Sequence, residues 1–154
     1  MHKLTDKDIE KLSIAKRAIR NSSKDSCVYV GCDSKRARGS STIRYATVII
    51  LHHNGKHGCS MWSFIHNEND YAPASKPRAR LVAEAYYAVD IASKIVDDIE
   101  DRHFELHLDL NIDPKFKSST AVKEAVGFVL GMLGIKAKLK PEAWASSTAA
   151  DKLT

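Results

Sequence analysis

The stretch "VYVGCDSK", residues 28–35, decides how this chain is read. It runs as an apolar strand and ends on a carboxylate, Asp33, with Ser34 and Lys35 directly behind it. An acid at the end of a buried strand is costly unless something offsets its charge. The reading therefore turns on whether the rest of the chain supplies partners for Asp33.

The chain has 154 residues, the length of a single domain (1–154) with a real hydrophobic core. A composition of 44% hydrophobic and 28% charged residues belongs to a soluble globular protein and excludes a disordered chain. No apolar run approaches the roughly 20 residues that a membrane helix needs. The opening "MHKLTDKDIEKL" lacks the apolar stretch of a signal peptide, so a cytoplasmic location is expected. Three cysteines (Cys27, Cys32 and Cys59) form no C-x-x-C pair and read as small buried strand residues. The net charge of +5 fits a polyanionic partner, or simply a basic surface.

Helical spacing of Ile9, Leu12, Ala15 and Ile19, with Thr5 as N-cap, predicts a first helix over residues 5–20. Strands are predicted over 27–33, 42–53 and 58–66, the last two joined by a hairpin at Asn54-Gly55. Residues 77–101 carry the longest helical pattern, followed by "FELHLDL" (104–110), whose Leu106 and Leu108 alternate with Glu105, His107 and Asp109. A helix over 119–133 stops at Gly134, "IKAKLK" (135–140) reads as a fifth strand, and "SSTAADKL" begins a last short helix. Three meandering strands followed by alternating helices and strands imply an α/β fold. Its mixed five-stranded sheet would hold a three-strand antiparallel meander plus two parallel strands, flanked by helices. That is the topology of a ribonuclease H-like fold.

In a sheet of this order the first and fourth strands are parallel neighbours, so Asp33 and Asp109 fall at matching ends. Two adjacent carboxylates repel unless a cation or hydrogen bonds offset the charge. Glu84, at the margin of the long helix's apolar stripe, is placed to reach inward, and Asp151 near the last helix can approach the same edge. Four acids converging there suit magnesium or manganese, hard ions that prefer oxygen ligands. Two such ions roughly 4 Å apart can activate water and stabilise a leaving oxygen. Each acid also has a local alternative: Asp33 a turn through Ser34, Asp109 an Asx turn with Asn111, Glu84 solvation, Asp151 a helix N-terminus.

"VYVGCDSK", the helix carrying Glu84, "LHLDLNIDPKFKSS" and "VGFVLGMLGIKAKLKPEAWASSTAADK" together resemble the ribonuclease H-like superfamily, and within it the YkuK family. The resemblance covers nearly everything from residue 27 onward. It implies an acidic metal-binding tetrad at Asp33, Glu84, Asp109 and Asp151, two Mg2+ or Mn2+ ions, and a nuclease acting on RNA, DNA or a hybrid. The alternative is a catalytically inactive module of the same fold that binds nucleic acid or a protein. Between Asp109 and Asp151 there is room for one helix and one strand, too little for the extra basic handle of some hybrid-cleaving relatives.

His107 shares a strand face with Asp109 and is a candidate to bond a metal-bound carboxylate, or an ordinary satisfied polar residue. Lys35, Arg36 and Arg38, with Arg44, follow Asp33 and are candidates to hold a phosphate backbone. The Lys136, Lys138 and Lys140 row fits the same role or the protection of an edge strand. His52, His53 and His57 lack the spacing of a zinc site. Gly127 and Gly131, a turn apart, are expected to let their helix approach the sheet, with a dimer seam the lesser reading. Trp62 and Trp144 read equally as core or as base-stacking platforms.

Overall fold

The computed structural model describes residues 3–55, 58–69, 78–109, 119–140, 143–150 and 153–154. Thr5 starts α1 (Asp6–Asn21) through a reciprocal capping box: its hydroxyl accepts from the Asp8 amide, and the Asp8 carboxylate accepts from the Thr5 amide. The chain then forms β1 (Cys27–Arg36), β2 (Thr42–His52), β3 (Cys59–Asn69), α2 (Arg78–Ile99), β4 (His103–Leu108) and α3 (Ser119–Leu133). At the β2–β3 turn Asn54 takes a φ of 49°, a left-handed conformation that asparagine tolerates better than most residues. Gly134 ends α3 at φ 70°, its amide donating to the Leu130 carbonyl.

The sheet order is β3-β2-β1-β4, antiparallel except for the parallel β1–β4 pair. Alternation along the strands divides the apolar residues between two faces. Val28, Val30, Cys32, Ile49, Leu51, Leu106 and Leu108 pack with α1, α2 and α3 in the main core. Val48 and Ile50 face the other way, onto Ala145 and Ala150 of a π-helical segment, Ala145–Ala150.

Several expectations are corrected. The sheet has four strands among the described residues, not five: of residues 135–140 only Lys138 pairs, in a single parallel bridge to His107. The segment is confined between Gly134, where α3 ends, and Pro141, which has no N–H to extend a ladder. Asp33 does not end β1, because pairing with β2 carries the strand on to Arg36. Cys32 is buried, but Cys27 is only half-buried and Cys59 is exposed at the start of β3. Gly127 and Gly131 do not meet the sheet: both are exposed, and a Cβ on either would enter open space. Among the described residues no helix is long and apolar enough to cross a membrane.

Two basic side chains fasten the periphery. Lys11 of α1 donates to the Ser63 carbonyl on β3 and lies 5.6 Å from the centre of the Phe64 ring. Arg102 is buried, and its guanidinium donates to the carbonyls of Arg20, Ser22, Ser23 and Ile99. That fork ties the C-terminal ends of α1 and α2, whose last carbonyls have no partner within their own helices. Replacing Arg102 with Met should cost roughly 3 kcal/mol, since several charge-assisted bonds are lost together. Thermal unfolding should fall by about 6–12 °C at about 2–4 °C per kcal/mol. Lys94→Ala, which removes an exposed pair with Asp90 one turn away, should stay within about 0.5 kcal/mol of wild type. Equal losses in the two variants would refute the role given to Arg102.

Candidate active site

The parallel ladder between β1 and β4 ends at Cys32 opposite Leu108. The next residue on each strand is an acid, Asp33 and Asp109. Asp33 remains held by the β1–β2 ladder, opposite Ala46, and is buried; Asp109, just past β4, is half-buried. From the α2 layer beneath, Glu84 comes up beside Ala85 and Ala88, with only 3% of its surface exposed.

Ser34 donates its hydroxyl to Glu84 Oε1 across that interface. Burial pushes the Glu84 carboxyl well above the usual carboxylate range, and the negative charges of Asp33 and Asp109 push it further the same way. The bond from Ser34 and the charge of Arg80 oppose this without reversing it. Asp109 is offset differently: the Lys140 ammonium lies 2.9 Å from its Oδ1. Burial thus disfavours the charge of one acid, and an ammonium offsets that of another. Among the described residues no three His, Cys, Asp or Glu side chains stand close enough together to hold an ion. Asp151 lies outside the described residues.

His107 is fully buried and both its ring nitrogens are engaged. Nδ1 accepts from the Ala145 amide at 3.0 Å, so Nε2 carries the proton and donates to Glu105 Oε1, also at 3.0 Å. Burial lowers its pKa, consistent with a neutral ring. Its partners are Glu105 and Ala145, the pattern of a satisfied buried polar residue, rather than a bond to Asp33 or Asp109. Tyr29 and Trp144 pack around the ring, so Trp144, though exposed, has a face on the second core; Trp62 packs half-buried against the main one.

Of the candidate phosphate contacts, Lys35 and Arg38 are exposed and Arg36 is half-buried within the β1–β2 ladder. Arg44 is turned aside, its Nε donating to the Leu153 carbonyl. His53 Nε2 lies 3.0 Å from Ser60 Oγ, and His57 is outside the described residues. Sequence reasoning missed two site residues. Ser34 was visible only as the neighbour of Asp33, and by alternation it points to the opposite face, toward Glu84. Lys140 gave no signal beyond belonging to a lysine row.

Residues 11–154 match the family model described as Ribonuclease H-like. The chain is 28% identical over 140 residues to "Uncharacterized protein YkuK" of Bacillus subtilis (strain 168), covering 81% of this chain and 77% of that protein. A solved structure, "Crystal structure of NurA with manganese", aligns at 15% identity and a TM-score of 0.28, over 68% of this chain and 27% of that one.

The raised pKa of Glu84 sets the sign of a pH effect. The folded chain holds a proton that the unfolded chain releases, so stability is full below the ordinary carboxylate pKa and is lost as pH rises through the folded value. Glu84→Gln keeps the shape and the Ser34 contact without the titration. In chelator, its melting temperature should match wild type near pH 4 and exceed it increasingly toward pH 8. Parallel melting curves across that range would show that Glu84 is not held as a buried acid.

Proposed function

The chain belongs to the ribonuclease H-like family, and on that footing we propose that it is a divalent-metal-dependent nuclease built as one domain. Its acids would be Asp33, Glu84, Asp109 and Asp151, and its substrate RNA, DNA or a hybrid of the two. The observation that carries this reading is Glu84: a carboxyl buried under two further acids at the end of a parallel strand pair. A fold seldom retains such repulsion without use for it.

The donor chemistry suits magnesium or manganese, since these acids offer only carboxylate oxygens. Asp33, Glu84 and Asp109 would have to draw closer together than they stand to hold an ion jointly, and Lys140 would have to leave Asp109. A bound ion pair would lower the pKa of an attacking water and neutralise the leaving oxygen. Asp33 and Asp109, each the residue after the last β1–β4 pair, would share the ions. Glu84 would release its proton to join them, with Ser34 holding its other role in orientation. Lys140 would give up Asp109 and become available to phosphate. Lys35 and Arg38, exposed just beyond Asp33, would hold the phosphate backbone without reading bases. The Lys140–Asp109 pair is also the observation that favours the rival, a nucleic-acid-binding module without turnover, since the pair is complete without metal.

Mn2+ should raise the melting temperature of wild type, because a ligand bound only by the folded state shifts unfolding by mass action. Asp33→Asn should lose most of that rise and all metal-dependent cleavage of single-stranded, duplex and hybrid substrates, while keeping nucleic-acid affinity. A full rise in Asp33→Asn would refute the metal assignment; binding without cleavage in wild type would favour the rival.

The basic loop has its own readout. Lys35→Ala/Arg38→Ala should weaken binding alike for all sequences and reduce the slope of log affinity against log salt by roughly 0.7–0.9 per lost phosphate contact. An unchanged slope would return both residues to a solvated surface.

A further inference from the structure

Resting on that reading of the acids, we propose that His107 is a positioning residue that bolts to β4 the segment Ala145–Ala150, the residues directly before the proposed ligand Asp151 in the sequence. Ala145 is the first residue of that segment, and its amide is one that a helix start leaves without an internal partner. The acceptor comes from a strand 38 residues away rather than from a local Ser or Thr. The ring itself is locked: Glu105 takes its Nε2 proton, and Tyr29 and Trp144 close on it with ring centres 5.4 Å away.

The segment needs such a tie. Its sequence is "ASSTAA", and of its described side chains Ala145 and Ala150 lie in the second core with Ala149 packed against it. An alanine methyl buries little area, so apolar contact holds the segment only weakly against Val48 and Ile50. A directional bond at its first residue, backed by the edge-to-face contact of Trp144 with the His107 ring, fixes where it starts. Asp151 follows Ala150 directly in the chain.

Two conservative variants separate positioning from simple core filling. The side-chain oxygen of Asn lies as many bonds from Cβ as Nδ1 does, so His107→Asn retains an acceptor for Ala145. Gln reaches instead to the place of Nε2, so His107→Gln retains the Glu105 contact and loses the Ala145 one. The measurements are hydrogen exchange at the amides of 145–150 in metal-free protein and Mn2+ affinity by calorimetry. His107→Gln should exchange about fivefold faster or more there, as expected for one lost hydrogen bond. It should also bind Mn2+ about 10- to 100-fold more weakly. His107→Asn should stay near wild type in both. Equal losses in the two variants, or unchanged exchange in His107→Gln, would overturn the proposal. A wild type that binds no Mn2+, with the exchange difference intact, would sink the metal reading and support the bolt.

Discussion

The parallel pairing of β1 and β4 stops at Cys32 and Leu108, and the character of the site follows from where it stops. Parallel neighbours bring like ends together, so both strands run on from their last pair at the same end of the sheet. Here the next residue on each is an aspartate. Had β4 run antiparallel, the same two acids would sit at opposite ends of the sheet. The α2 helix, packed across β1, then delivers Glu84 under the pair because its apolar face of Ala85, Ala88 and Ile95 fixes its rotation against the strands.

The molecule deals with Glu84 and Asp109 by different means, and the difference is physical. Glu84 is almost wholly excluded from water, where ionisation is most expensive, and its carboxyl is pushed well above the usual range. Asp109 is half-exposed, where an ammonium can reach it on a flexible stem, and it takes Lys140. A cation entering the site competes with protonation of Glu84 and with Lys140, so its apparent affinity would rise with pH and would be tuned by whatever draws Lys140 away. A phosphate backbone is one such competitor.

Much of the architecture was legible because it rests on local chemistry. Thr5, Gly134 and Asn54-Gly55 each mark a boundary through their own backbone preferences, and α3 falls on the predicted residues 119–133. Glu84 was legible as an acid at the edge of an apolar stripe. What failed depended on partners distant in sequence. The reach of β1 past Asp33 is set by β2, and the single bridge at Lys138 by the short span before Pro141. The outward turn of Gly127 and Gly131 depends on which side of α3 meets α2, where Ala125 and Val129 fill the contact. The contact between His107 and Ala145 has no local signature at all, since nothing in "LHLDL" says which backbone amide will meet the ring.

The free side of β3 is the edge at which this sheet would meet another chain. Its eleven residues would offer a template long enough for strand addition, the route by which exposed edges recruit copies of themselves. Lys11 reaches the strand there, with its ammonium on the Ser63 carbonyl midway along it and over the Phe64 ring. An incoming strand would have to displace a charged donor and leave it without an acceptor. The first helix thereby occupies a backbone acceptor that an added strand would need.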